Sequence, residues 1–596
     1  MRQYLSLWRE MFVLSWRRMP KFTAGALLAL AGSVVVTVGV AVALRAAVDA
    51  AVRGVASAAA VAALLAALAY AANMVLRDLN ETLVRTTSDR VGRLELHPEI
   101  YRDVTTIEGL EHLERPEYLD RLAVVRVAPT RMPGAMWLSV SVLANILRIV
   151  LSTLLLATIN PWLLVLVVFA VVPVWLDQRG QRVVRRVEVE TAEAFRLQQQ
   201  LFDLTVDAGS GKELRVSGNS KDVVSRLERA WQDAMGRRFR AQVTAAAWKA
   251  GGWAVFVVGF VGGLGLIAYQ TAHGQGSLGD IVLAVVVTAN LRPTVAAAVD
   301  SMSLTSMAAG RIVGPYLWLR RYAADDRARR AATAAPPEAM RSGITLENLS
   351  YTYPGAATAA LSGISAQLPA GTVVAVVGEY GSGKTTLVKL LSKFYRPDAG
   401  RILIDDTDLS EVETEAWRAR SSAAYQDFGR FHIPFRETVG LGDISHLDDD
   451  ERIMEAVRVA DAGELVARLP QGLHTQLGTE FDGVDLSEGQ WQRTALARAA
   501  MREDLLLFVL DEPTASLDAP SERAIFERYM ERAREVTRRT GGVSVVVSHR
   551  FGTVRNADLI LVLDHGRLVE MGSHQDLIDR SGRYAELFRM QAEAYA

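Results

Sequence analysis

The chain has 596 residues, too many for a single hydrophobic core, so we expect at least two domains. Half of the residues are hydrophobic and 22% are charged, which indicates a membrane-spanning part joined to a soluble part. The net charge of −1 argues against a nucleic-acid-binding protein, and the absence of cysteine excludes disulfides, thiolate metal sites and cysteine nucleophiles.

The first 21 residues mix arginine and lysine with tryptophan, tyrosine and phenylalanine. This composition is typical of a segment that lies on the cytoplasmic surface of a membrane. A signal peptide is the alternative, but the uncharged stretch that follows is longer than the apolar core of a signal peptide. We therefore expect residues 1–21 to be an uncleaved interfacial segment.

Six apolar stretches follow, and about 20 residues are needed to cross a bilayer. They predict membrane spans at 22–44, 54–76, 135–159, 162–176, 251–269 and 278–304. The segments 77–131 and 177–243 are long and rich in arginine, whereas the other segments between successive spans are short. The positive-inside rule therefore predicts a multi-pass cell-membrane protein with both termini in the cytoplasm.

Two arginines interrupt these spans. Arg148 lies in the third and Arg292 in the sixth, and a guanidinium facing lipid would be costly. We expect both to face the bundle interior or a wet cavity, which favours a cargo carrying a carboxylate or phosphate. The alternative is a structural role, in which Asp300 or carbonyls freed at Pro293 satisfy Arg292.

Composition changes abruptly to alanine, charge and proline at 321–340, which indicates a linker. Beyond it, strand patterns with turn residues alternate with helical patterns, which predicts an α/β domain. The predicted fold is therefore multi-domain. An all-α six-helix transmembrane domain at 22–320 precedes an α/β P-loop NTPase domain at 341–596.

The NTPase assignment depends on one loop between an apolar run at 373–377 and a helical run at 387–391. It fits the phosphate-binding pattern G-x-x-x-x-G-K-[ST], in which glycines and helix N-terminal amides surround an anion. The lysine would contact the β- and γ-phosphates and the first threonine would ligate Mg²⁺. The residues of this loop are Gly378, Glu379, Tyr380, Gly381, Ser382, Gly383, Lys384, Thr385 and Thr386.

Downstream, an unbroken apolar run at 505–510 ends in Asp511 and Glu512. Such a run is typical of a buried central strand, and its carboxyl end is where α/β sheets bind ligands. Asp511 would support Mg²⁺, and Glu512 would orient or deprotonate the attacking water. Behind a phosphate loop, this pair points to hydrolysis of a bound nucleotide.

With these motifs the whole chain resembles the ATP-binding cassette (ABC) transporters of the exporter type, which fuse membrane and nucleotide-binding domains. Leu486-Ser487-Glu488-Gly489-Gln490 is similar to that family's L-S-G-G-Q signature. The resemblance implies that Ser487, Gly489 and Gln490 complete the ATP site of a second transporter half, in a homodimer or a heterodimer. Glu488 departs from the pattern and places a carboxylate near a polyphosphate.

The resemblance implies further site residues in the order of the family's motifs. Tyr353 resembles the aromatic that stacks on adenine, although an edge-strand tyrosine is the alternative. Gln426 resembles the glutamine that senses Mg²⁺, Asp518 belongs to a loop crossing the dimer interface, and His549 takes the place of the γ-phosphate histidine. Residues 116–119 and 212–215 look like coupling helices, with ordinary polar helix surface as the alternative.

The function predicted is ATP-driven export of an amphipathic substrate (a peptide, lipid or small natural product) by a dimer using ATP and Mg²⁺. One alternative is one half of a heterodimer, which the substitution at Glu488 would suit. Others are an importer with the exporter fold and an ATP-gated channel or regulator. Glu512 and His549 favour a hydrolysing pump over a channel, and the sequence does not name the cargo.

Overall fold

A computed structural model describes residues 2–126, 128–206, 208–273, 277–308, 312–328, 332–512, 519–548 and 554–594. The chain divides into two compact units. The first consists of Met1–Asp103 and Arg121–Arg320, and the second of Val104–Asp120 and Arg321–Ala596. The second unit therefore takes in a short piece of the long segment 77–131.

The first unit is all-helical. Among its described residues, six helices are long and apolar enough to cross a membrane, in agreement with the six predicted spans. The helices up to residue 328 are α1 (Arg2–Arg18), α2 (Pro20–Val52), α3 (Ala56–Val91), α4 (His97–Thr105), α5 (Pro116–Val125), α6 (Ala128–Ala157), α7 (Leu166–Glu190), α8 (Ala192–Val206), α9 (Ala208–Val216), α10 (Ser220–Ala272), α11 (Leu278–Ala308) and α12 (Gly314–Ala328).

Several of these helices run well beyond the apolar windows. Helix α10 has 53 residues, about 80 Å at 1.5 Å per residue, although only 251–269 reads as a span. Helix α12 continues through Ala328, so the first eight residues of the predicted linker are helical. Alanine and arginine favour helix as strongly as leucine does, so a helix continues where hydropathy ends.

The second unit contains two sheets. A four-stranded antiparallel sheet has the order β2-β1-β4-β5, and a six-stranded sheet has the order β10-β9-β3-β8-β7-β6. The strands are β1 (Gly343–Tyr351), β2 (Leu361–Pro369), β3 (Val373–Val377), β4 (Ala399–Ile404), β5 (Thr407–Asp408), β6 (Ser421–Ala424), β7 (Leu507–Asp511), β8 (Val543–Val547), β9 (Leu559–Asp564) and β10 (Arg567–Gly572).

Helices pack around the larger sheet, which confirms the predicted α/β class. They are α13 (Lys384–Leu391), α14 (Thr414–Ala419), α15 (Phe435–Gly440), α16 (Asp450–Val459), α17 (Gly463–Arg468), α18 (Glu488–Ala499), α19 (Ala519–Thr540), α20 (His574–Asp579) and α21 (Arg583–Ala594). All five residues of β3, of β7 and of β8 are buried. This accounts for their largely apolar sequences, since strands covered on both faces need no polar side; the exceptions are Ser544 in β8 and Asp511 at the end of β7.

Candidate nucleotide-binding and catalytic site

The larger sheet gathers the predicted motifs at one edge. Strands β3, β8, β7 and β6 are adjacent and mutually parallel, so their carboxyl ends meet. The phosphate loop follows β3, Glu512 follows β7, and Gln426 lies two residues after β6. Ligands bind at this edge of α/β sheets. The topology therefore brings together motifs that lie more than 100 residues apart in sequence.

Glycine is required at two positions of the phosphate loop. Gly378 has φ +152°, and a Cβ there would lie 2.1 Å from the Leu563 carbonyl oxygen. Gly383 has φ +102° and caps α13, and a Cβ would lie 2.7 Å from the Ala360 oxygen. Any side chain would displace the backbone at both places, so these glycines keep the loop wrapped over the N-terminus of α13.

The donors in the loop are buried. Lys384 is 7% exposed, and its Nζ donates to the carbonyl oxygens of Gly378 (3.0 Å) and Glu379 (2.8 Å). Burial lowers the pKa of Lys384, while Glu512 and Asp511 act in the opposite direction. The Ser382 hydroxyl is buried without a hydrogen-bond partner among the described residues. A buried cation and an unpaired hydroxyl make this loop suited to a polyphosphate.

Thr385 and Asp511 are brought side by side, with the threonine hydroxyl 3.4 Å from one carboxylate oxygen. Asp511 is 1% exposed, and its other oxygen has no hydrogen-bond partner among the described residues. Burial raises the pKa of Asp511 to about 6, and Glu512 and Asp427 add to the rise. An unpaired buried carboxylate oxygen beside a hydroxyl fits a Mg²⁺ ion, which prefers oxygen ligands.

Glu512 has a strained backbone. Its φ is +48°, a left-handed conformation unusual for a residue with a side chain, and its N–H donates to the Val547 oxygen at 3.0 Å. Strain of this kind persists where the surrounding structure fixes it, and it is concentrated at functional sites. The bond to the end of β8 fixes the turn that follows Asp511.

Tyr353 is half-buried just after β1, and its hydroxyl lies 3.2 Å from Thr386 Oγ1. Its ring makes edge contacts with those of Tyr351 (5.1 Å) and Tyr395 (5.5 Å). A ring beside the phosphate loop suits the predicted adenine contact, which stays a prediction.

The signature segment opens α18. The Ser487 hydroxyl accepts a hydrogen bond from the Gln490 N–H at 3.4 Å, and the Gln490 side chain accepts one from the Ser487 N–H at 2.8 Å. This is a capping box, which satisfies two donors at the start of the helix. Glu488 forms an ion pair with Arg430, so its charge is compensated within the chain.

Some predicted residues lie outside the described part of the chain. Asp518 and His549 are in the undescribed ranges 513–518 and 549–553. The Arg292 side chain is likewise outside the description, although its backbone belongs to α11. Their roles stay predictions.

The segment Val104–Asp120 packs within the second unit. The Leu110 N–H donates to the Phe394 oxygen at 3.1 Å, and Arg418 donates to the Glu108 oxygen at 2.8 Å. The coupling role predicted for 116–119 stays a prediction, but the polar contacts come chiefly from the residues before it. Residues 212–215 lie in α9 of the first unit.

Several contacts were not foreseen from the sequence. Arg583 at the start of α21 pairs with Glu379 of the phosphate loop, and Arg430 pairs with Glu488. Tyr395 donates a hydrogen bond to Glu114. No local pattern marks these pairs, because the partners are 58 to 281 residues apart.

A six-helix membrane bundle fused to an α/β domain with this loop defines the exporter class of ATP-dependent transporters. A family model described as "ABC transporter" matches residues 361–515. The chain is 31% identical over 444 residues to an ATP-dependent lipid A-core flippase of Thiobacillus denitrificans, covering 72% of each protein. It is 39% identical over 261 residues to the flippase of the same name from Bordetella pertussis, covering 44% of this chain and 40% of the relative.

A solved structure of a bacterial Atm1-family ABC exporter with ATP bound has the same fold. The TM-score is 0.77 at 25% identity, over 97% of this chain and 99% of the other. The chain belongs to the ABC transporters and is a multi-pass membrane protein that couples ATP hydrolysis to transport.

Proposed function

We propose that two copies of this chain form an exporter of an amphipathic, anionic substrate, with both termini in the cytoplasm. The observation that carries the proposal is the joining of two features in one chain. Lys384, Thr385, Asp511 and Glu512 converge at one sheet edge, and the same chain has six apolar helices, one of which buries Arg148.

Hydrolysis is attack of water on the γ-phosphate, in line with the leaving oxygen. Glu512 orients this water and takes its proton, while Lys384 and the loop amides stabilise the charge of the transferring phosphoryl group. The γ-phosphate is held by His549 of the same chain together with Ser487 of the partner subunit. The Tyr353 ring stacks on adenine, as its position beside Thr386 supports.

Thr385, Asp511 and Gln426 would hold Mg²⁺. The unpaired buried oxygen of Asp511 supports this assignment. When bound, Mg²⁺ neutralises charge on the β- and γ-phosphates. Gln426 is exposed at the same edge of the sheet, where its amide oxygen can turn toward the site.

The arrangement of motifs supports a dimer. Ser487, Gly489 and Gln490 open α18, so a second copy presenting this helix start would complete each phosphate loop. The pairing of Arg430 with Glu488 supports two equivalent, competent sites, because it offsets the carboxylate that departs from the family's pattern.

Arg148 in α6 is the residue that favours an anionic cargo. It is 6% exposed, and its guanidinium donates to Asn145 (2.9 Å) and to Ser33 (2.6 Å), which are both neutral. Its Nε has no partner among the described residues. Asp300, the acid considered for Arg292, lies 3.8 Å from Lys249. A buried guanidinium with neutral partners favours an anionic headgroup.

Reconstitution tests this proposal. Inside-out proteoliposomes containing the purified chain should move fluorescent phosphatidylglycerol between leaflets with ATP, and zwitterionic phosphatidylcholine much less. Arg148→Leu should remove the anionic preference while keeping basal ATP hydrolysis, and Arg53→Leu in an exposed turn is the control. Equal transport of both lipids would overturn the anionic preference, and transport of neither lipid while an anionic peptide is moved would exclude a lipid cargo. Failure of the chain alone to dimerise with ATP would favour a heterodimer.

A further inference from the structure

Three tyrosine rings are packed together beside the phosphate loop. Tyr351, Tyr353 and Tyr395 have ring centroids 5.1 to 5.5 Å apart, and we call them the tyrosine cluster. The Lys389 ammonium lies 5.9 Å from the Tyr353 ring and 5.7 Å from the Tyr395 ring. Tyr351 and Tyr395 are buried and Tyr353 is half-buried, so a change at Tyr353 is passed to a packed neighbour.

The buried end of the cluster is tied to a distant part of the chain. Tyr395 donates its hydroxyl to Glu114 of the segment Val104–Asp120, and the same carboxylate lies 3.9 Å from Lys389 Nζ. Burial and Glu114 raise the pKa of Tyr395 well above its usual range, so the hydroxyl stays protonated and donates. A bond to a charged acceptor is stronger than a neutral one.

Further hydrogen bonds near this contact fix the position of Val104–Asp120. Arg418 donates to the carbonyl oxygens of Glu108 and Lys393, both at 2.8 Å, and its guanidinium stacks 4.9 Å from the Phe394 ring. The Leu110 N–H donates to the Phe394 oxygen. The residue that carries the Glu114 contact is therefore next to the residue that anchors the segment.

We propose that Tyr395 and Glu114 form an adenine-responsive link. Adenine bound on Tyr353 stabilises the hydrogen bond between Tyr395 and Glu114, and this bond in turn stabilises the segment Val104–Asp120. The inference rests on the proposed stacking of adenine on Tyr353. It assigns Tyr395 and Glu114 as positioning residues, since they act through Tyr353. The segment then responds to the nucleoside part of ATP and not to its phosphates.

The reason is geometric. Adenine stacked on Tyr353 fixes a ring that is otherwise half-exposed, and the edge contact with Tyr395 transmits that restriction. Tyr395 is buried edge-on against Tyr353, so restricting the Tyr353 ring also restricts the position of the Tyr395 hydroxyl against Glu114. A polyphosphate without a base fills the phosphate loop but places nothing against the face of the Tyr353 ring.

Hydrogen exchange of the full-length chain tests the link. In a Glu512→Gln background, Mg-ATP should slow exchange in 104–120 at least about fivefold, the low end of ordinary coupling between sites. Inorganic tripolyphosphate should protect 378–386 but not 104–120. Tyr395→Phe and Glu114→Gln should each lose the response of 104–120 to ATP while keeping that of 378–386. Asp120→Asn, an exposed acid nearby that lies outside 116–119, is the matched control.

Two results would overturn the link. One is an unchanged response of 104–120 in both Tyr395→Phe and Glu114→Gln, and the other is equal protection of 104–120 by tripolyphosphate. Absence of ATP protection at 378–386 in the parent would be a different failure, because it would remove the proposed nucleotide site itself. Tyr395→Phe keeps the ring, so loss of the fold would appear separately as a lowered Tm.

Discussion

The Thr385 hydroxyl lies 3.4 Å from the Asp511 carboxylate, although 126 residues separate the two in sequence. Parallel pairing places β8 between β3 and β7, so the helix start after β3 and the end of β7 share one edge. The buried carboxylate has one oxygen near the hydroxyl and one without a partner among the described residues. This pair is the basis for the proposed Mg²⁺ site.

Binding of Mg²⁺ should depend on pH near 6. Burial raises the pKa of Asp511 to about 6, so this carboxyl holds a proton below that pH and must lose it to bind a cation. The affinity of the ATP-bound protein for Mg²⁺ should therefore rise about fourfold from pH 5.5 to 7.5, as the ionised fraction increases. Magnesium titration monitored by the fluorescence of a bound ATP analogue measures this.

Asp511→Asn serves as the comparison. It should bind Mg²⁺ weakly at both pH values, with the fourfold difference absent. A wild-type affinity that fell as pH rose from 5.5 to 7.5 would exclude Asp511 as the titrating ligand.

Lys384→Ala should weaken ATP binding at least about thirtyfold, since losing one partner of a buried charged contact costs about 2 kcal/mol or more. Calorimetric titration with ATP gives the affinity, and Lys221→Ala on the exposed part of α10 is the control. An unchanged affinity would mean that Lys384 serves only the carbonyl oxygens of Gly378 and Glu379.

Glu488→Gly should raise ATP affinity or hydrolysis about two- to fivefold by removing a carboxylate near the polyphosphate and releasing Arg430. Arg430→Ala should act in the opposite direction, because it leaves the carboxylate unpaired. ATPase rates of the two single variants and the double variant separate these effects. A loss of both affinity and rate in Glu488→Gly would mean that the glutamate has become part of the site.

Local sequence was sufficient for the parts of the fold that depend on local physics. The phosphate loop, the buried run before Asp511 and the six apolar spans each have a pattern set by backbone conformation or by the solvent around them. For this reason the predicted strand at 373–377 coincides with β3. The spans were underestimated in length because hydropathy does not detect helix that continues into water.

The contacts between distant segments could not be predicted in this way. Arg583 with Glu379, Arg430 with Glu488 and Tyr395 with Glu114 are pairs whose partners become neighbours only after the sheet and helices assemble. No fixed separation in sequence relates such an arginine or tyrosine to its partner. The capping box at Ser487 and Gln490 is a contact of a different kind, since its residues are only three apart.

The most direct test of the account is ATP hydrolysis by the purified, lipid-reconstituted chain, compared between wild type and Glu512→Gln. The wild type should hydrolyse ATP without any other subunit, and Glu512→Gln should be slower by about 100-fold or more while retaining ATP in a stable dimer. Glu464→Gln, on an exposed helix surface, should match the wild type. Equal rates in wild type and Glu512→Gln, whether both near the wild-type value or both negligible, would contradict the account.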